Sequence, residues 1–141
     1  MSKAIDEALY STLIADTSDG SAHDLVSGRI SASYGDAGDD LPLITFEQVG
    51  SVTMQPFGGA SLHHDETYDI SIIGRWEDGL AEIGDIADAV VELFGNPVFT
   101  TATNFDRVIF ELASGATIAR DDEHLVATIG LRARAVQTGG L

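Results

Sequence analysis

The chain has 141 residues, 7 Lys+Arg against 23 Asp+Glu and a formal net charge of −16, which fits one domain and excludes a basic patch that grips nucleic acid or anionic lipid. It has no cysteine, so a disulfide scaffold, a thiolate metal site and a cysteine nucleophile are all excluded. Apolar residues make up 44%, too many for a disordered chain. No apolar run approaches the ~20 residues of a membrane helix, and Met1-Ser2-Lys3-Ala4 lacks the charged-then-apolar layout of a signal peptide.

In chain order, the first predicted element is a helix from Lys3 to Ala15. Ser2 is placed to cap it, Asp6 and Glu7 sit in its positive first turn, and Ile5, Ala8, Leu9 and Leu13 form one apolar stripe. The polar stretch Asp16 to Asp24, with Gly20, stops it. A short strand over Arg29 to Ser33 is followed by a solvated loop, Gly35 to Asp40. Leu43 to Val49 reads as a strand with Pro42 just ahead of it. Met54 to His64 shows no period and reads as a long connection. Thr67 to Trp76 alternates, with Tyr68, Ile70, Ile72 and Trp76 on one face and Thr67, Asp69, Ser71 and Arg75 on the other.

The second predicted helix is capped by Asp78 and ended by Gly95 and Pro97. It carries Leu80, Ile83, Ala87, Val90 and Phe94 on one side and Glu82, Asp85, Asp88 and Glu92 on the other. Two strands follow, Asp106 to Leu112 and Leu125 to Ala135, with Ser114-Gly115-Ala116 and Asp121-Asp122 as the turn between them. Alternating rather than continuous apolar strands imply an α+β fold: a mostly antiparallel sheet with two helices packed on one face and a polar opposite face.

Asp outnumbers Glu 15 to 8, and Lys3 is the only lysine. Such a bias suits either a salt-accumulating halophile, where molar salt shrinks the Debye length to about 3 Å, or an acidic protein kept soluble by its charge.

His63-His64-Asp65-Glu66 is the densest cluster of potential metal ligands. Adjacent side chains diverge, so His23 or His124 would have to complete a site. The two-His helical spacing of metalloproteases is absent, and the run reads first as a solvated or interface loop. Asp39-Asp40 and Asp121-Asp122 sit in predicted turns, where Asp bonds the local backbone and lacks the burial a general acid needs. No Gly-x-Ser-x-Gly elbow occurs, and neither Gly58-Gly59 nor Gly139-Gly140 leads into the Lys-Ser/Thr and helix of a phosphate loop. No catalytic residue, cofactor site or metal site is assigned.

Arg75, Arg107, Arg132 and Arg134 all fall in predicted strands, opposite the apolar stripe. They fit cross-strand pairing with Asp69, Glu47 or Glu111, and they equally fit a subunit contact, where the planar guanidinium fork pairs with carboxylates.

Taken in order, several segments resemble the tail-terminator (tail-completion, or neck) proteins of long-tailed phages and related haloarchaeal tailed viruses. These are the N-terminal helix with Ala8-Leu9-Tyr10, Arg29-Ile30, Leu41-Pro42-Leu43-Ile44-Thr45-Phe46, Tyr68-Asp69-Ile70-Ser71-Ile72, the amphipathic second helix, and the acidic turn into Leu125 to Ala135. The resemblance spans nearly the whole chain and rests on element order. Val98 to Thr103 departs from it as a longer polar insert.

The resemblance implies a structural virion protein, not an enzyme and without cofactor. It implies a homohexameric ring in the tail or neck that caps the tail tube protein, joins it to the head-side connector and lets genomic DNA pass through its lumen. The Met54–His64 segment would then face a neighbour or the tube through Met54, Phe57 and Leu62, beside the four strand arginines. An acidic lumen would keep DNA from sticking. Three other readings stand beside this one: another neck protein of the head-closure or adaptor kind, a small metal-dependent hydrolase using His63 and His64, and a ligand-binding domain using the sheet face of Tyr68 or Trp76.

Overall fold

The strand alternation seen in the sequence becomes one six-stranded sheet in the computed structural model, which describes residues 3–32, 40–55 and 61–138. The elements are α1 (Lys3–Ala15), α2 (Ala22–Leu25), β1 (Ile30–Ala32), β2 (Leu43–Met54), β3 (Ser61–Arg75), a 3-10 turn (Trp76–Asp78), α3 (Gly79–Leu93), β4 (Val98–Ala102), β5 (Phe105–Asp121) and β6 (His124–Thr138). The strand order is β1-β2-β3-β6-β5-β4. Every pairing is antiparallel except β1 with β2. The expected α+β class and mostly antiparallel sheet therefore hold.

The core forms where the period-2 stripe of the sheet meets the helical stripes. Ile44 and Phe46 of β2, Tyr68, Ile70 and Ile72 of β3, Val108 and Phe110 of β5, and the alternate residues Leu125 to Ala135 of β6 are all buried on one face. Ile5, Leu9 and Leu13 of α1 and Ile83, Ile86 and Val90 of α3 cover that face. Helix α3 packs on β3, β5 and β6, while α1 reaches both margin strands, β1 and β4. A 13-residue helix is ~20 Å long and six strands span ~24 Å, so α1 must cross the sheet diagonally.

Helix α1 has the bounds and the buried residues expected, and its cap Ser2 lies outside the described residues, as do 35–39 of the expected loop and Ser33 at the end of the expected first strand. Elsewhere the structure corrects the sequence reading. Met54 to His64 is not one long connection. Strand β2 runs on to Met54 and β3 begins at Ser61, with Met54 opposite His63. This end of the hairpin mixes polar and apolar residues on both of its faces, so it carries no apolar period for the sequence to show. Val98 to Thr103 is mostly a strand, β4, whose alternate exposure befits an edge. Ser114-Gly115-Ala116 is an irregularity within β5, and the tight turn is Asp122-Glu123, with Asp122 at φ 55°.

Three corrections concern the start of α3. Asp78 stands at the N-cap position but makes no side-chain cap bond, because the 3-10 turn before it leaves Asp78 itself in helical geometry. Leu80 is 58% exposed, and Ile86 takes the buried place instead. Trp76 is not on the core stripe; it leaves the strand with the 3-10 turn and is 44% exposed. The short α2, capped by Ser21 on the Asp24 N–H, lies in a stretch expected to be irregular.

Candidate assembly interface

The face of the sheet away from the helices carries the polar half of each strand alternation. Register places Phe99, Ile109, Arg134, Asp65 and Val52 in one row across β4, β5, β6, β3 and β2. Arg107, Val136, His63 and Met54 make the next row on one side, and Glu111, Arg132 and Thr67 the row on the other. Met54, His63, Asp65, Arg107, Arg132 and Arg134 surround a shallow hollow of about 370 Å³.

Charge pairing organises the centre of this face. Arg132 Nε donates to Asp65 Oδ1 at 2.9 Å, and its Nη2 also pairs with the same carboxylate. Glu111 Oε1 lies 3.8 Å from Arg132 Nη1 and 3.1 Å from Arg134 Nε. The result is a continuous run, Asp65–Arg132–Glu111–Arg134, across three strands. The Arg132 hydrogen bond holds the Asp65 carboxyl below the usual carboxylate range. All four side chains keep solvent contact, so each pair contributes at most ~1 kcal/mol. Arg107 has no ion-pair partner among the described residues.

Arg107, Arg132, Arg134 and Met54 thus come together. Arg75 does not join them: it ends β3 opposite His124 and borders a separate hollow with Trp76, Arg120 and Glu123, where the Arg120 guanidinium lies 4.0 Å from the Trp76 ring centroid. Leu62 pairs with Gln137 on the other face by alternation, and Phe57 lies outside the described residues. Glu111 is the arginine partner that the sequence offered. The other partner is Asp65 rather than Asp69 or Glu47, because the strand extends back to Ser61 and sets Asp65 opposite Arg134, diagonal to Arg132. Phe99, 67% exposed on the edge strand, also went unread because β4 did.

His63 and His64 do not converge. His63 lies on the arginine face, while His64 turns to the other face, within 3.3 Å of Thr53 Oγ1 and of Gln137 Oε1 and edge-on to Phe105. Among the described residues no group of three or more His, Asp or Glu is placed to hold a metal ion.

One acidic cluster lies within the core. The Tyr68 hydroxyl donates to Asp6 Oδ1 at 2.5 Å and lies 3.3 Å from Glu66 Oε2. Glu66 is only 1% exposed, and burial raises its carboxyl above the ordinary range against the opposing effect of the Tyr68 contact. Two carboxylates, from α1 and from β3, therefore converge on one phenol hydroxyl. Burial, with Asp6 next, pushes the Tyr68 hydroxyl well above its normal range. The cluster ties α1 to β3; Tyr68 is core, not a ligand platform.

No protein-family model and no curated protein matches the sequence. Solved structures do match: a chain from the virion of a native gene transfer agent (GTA) particle superposes with a TM-score of 0.74 and 16% identity, covering 94% of this chain and 95% of that one. At that identity the likeness is one of fold. No helix among the described residues is long and apolar enough to cross a membrane.

Proposed function

We propose that this chain is a non-enzymatic structural subunit of a tailed virus-like particle, and that copies of it, six in the family it resembles, close into a ring that terminates the tail tube and meets the head-side connector. The observation that carries this reading is the end-to-end fold likeness to a chain of a GTA virion, 94% of one chain on 95% of the other. The division of charge supports the reading. Three of the six arginines, Arg107, Arg132 and Arg134, sit together on the uncovered sheet face, whereas α3 offers solvent Asp85, Asp88 and Glu92 and no cation.

In the ring we place the helices outward and the uncovered sheet face toward the lumen and the tube. The lumen is then lined by arginines already paired with Asp65 and Glu111, not by bare carboxylates. Such a surface offers duplex DNA no net positive track to release counterions from, and DNA passes without being held. Light scattering and negative-stain imaging in molar salt test the reading: rings of uniform size support it, and a monomer at every salt and protein concentration overturns it. Tight binding of the assembled ring to duplex DNA at moderate salt would overturn the placement of the lumen.

A further inference from the structure

Among the described residues, two strands lack an outer neighbour over much of their length. Strand β1 covers only Ile44–Phe46 of β2, and β4 covers only Phe105–Phe110 of β5. Among the described residues this leaves open main-chain edges over Glu47–Met54 and Glu111–Asp121. Both are exposed: Ser51–Met54 on β2 and Ala113–Asp121 on β5 are accessible at every residue. Each edge also carries a large exposed apolar side chain, Val52 on β2 and Ile118 on β5. An exposed strand edge of this length is a template for another strand.

We propose that the open edge of β5 in one copy pairs with the open edge of β2 in the next, so that the sheet runs on from subunit to subunit around the ring. The inference rests on the ring reading and supplies its joint. Three features of the sheet select this partner. First, the two edges lie on opposite margins, so a copy that uses one still offers the other; pairing β5 with β5 would instead stop at a two-fold dimer with β2 still open. Second, β2 and β5 run in opposite senses. Copies related by rotation about an axis along the strands therefore meet in the antiparallel arrangement, the more stable per residue.

Third, the edges are offset along the strands by an amount a closed sheet can use. Register sets Glu47–Met54 level with Asp69–His63 of β3, and Glu111–Asp121 level with Thr67–Arg75. The midpoints lie at β3 positions 66 and 71, about five residues apart, or ~17 Å. Four strands lie between one joint and the next, ~19 Å at the usual spacing. Matching the edges tilts the strands by ~40°, inside the 35–45° at which sheets close on themselves. The register irregularities at Gln48/Gly50 and between Leu112 and Thr117 distort both edges and discourage strands of other shape.

The absence of cysteine makes a direct test available. Val52→Cys, Thr117→Cys (exposed and on the same sheet face as Val52) and the double variant are treated with a flexible bismaleimide in molar salt, while light scattering, imaging and circular dichroism report ring size and folding. The expected result is a covalent ladder reaching the full ring in the double variant, with single variants staying monomeric on a denaturing gel. Efficient dimers from either single variant would mean that like edges meet, and would overturn the proposal. Rings without a ladder in the double variant would also overturn it while leaving the ring reading standing. Folded protein that forms neither rings nor a ladder overturns both.

Discussion

At the scale of single residues, the Tyr68 hydroxyl and its two carboxylates make stability depend on pH in a defined direction. Burial raises Glu66 above its ordinary value, so the folded chain binds that proton more tightly than the unfolded chain. The stabilising contribution is complete below the ordinary carboxylate range and is lost as pH rises through the raised value. Glu66→Gln, which keeps the neutral form, should therefore raise Tm at neutral pH and lose that gain near about pH 4; equal shifts at both values would refute the assignment. Tyr68→Phe removes the hydroxyl that donates to Asp6 and should cost about 1–3 kcal/mol in a denaturant titration. A second site depends on close approach. A Cβ on Gly130 would meet Ser114 Oγ at 2.5 Å, the same oxygen that accepts the Gly130 N–H at 3.1 Å. Gly130→Ala should cost about 1 kcal/mol by displacing that hydroxyl, and a double-mutant cycle with Ser114→Ala should show the two costs to be less than additive.

At the scale of elements, α3 separates what periodicity tells from what it hides. Leu80 and Ile86 are both apolar and both lie on the helix, but only Ile86 is buried. Ile86→Ala should destabilise by about 2–5 kcal/mol, and Leu80→Ala should stay within ~0.5 kcal/mol; thermal melts of the pair decide it. The sequence made α1 legible to the residue because one stripe faces one core, and it made the buried halves of β3 and β6 legible for the same reason. It hid β4 and the far ends of β2, β3 and β5, where polar and exposed apolar residues mix on both sides and leave no period. The interface residues divide along the same line. Arg132 and Arg134 alternate with buried alanines and leucines and so read as outward-facing. Their partner Asp65 stays hidden because the first residues of β3 read as loop, and Trp76 reads as core because the 3-10 turn that swings it outward has no signature in a period-2 count.

At the scale of the whole molecule, −16 on 141 residues is unevenly spread. The sheet face is close to balanced, and the excess lies on the helical side and in the turns. A ring with that side outward keeps the like charges of neighbouring copies on its circumference, where salt screens them most effectively. Raising salt from 0.1 M to molar concentration shortens the Debye length from ~10 Å to ~3 Å. Both the Tm and the fraction of protein in rings should rise across that range. Salt-independent melting would show that the self-repulsion is already offset by pairing, and would remove the support for a high-salt habitat.

The place of β6 in the sheet has a consequence for how the chain reaches this fold. The strand that comes last in sequence lies at the centre, between β3 and β5, and its pairs with β3 join residues as distant as Ser61 and Thr138. Until β6 is in place, the β2–β3 hairpin has no neighbour on its inner side and α3 has lost part of its floor. So many distant pairings put folding on the millisecond-to-second scale rather than the microsecond scale. During that interval the unfinished sheet exposes an inner edge in addition to its outer ones, so the folding intermediate offers other chains more unpaired strand than the finished subunit does.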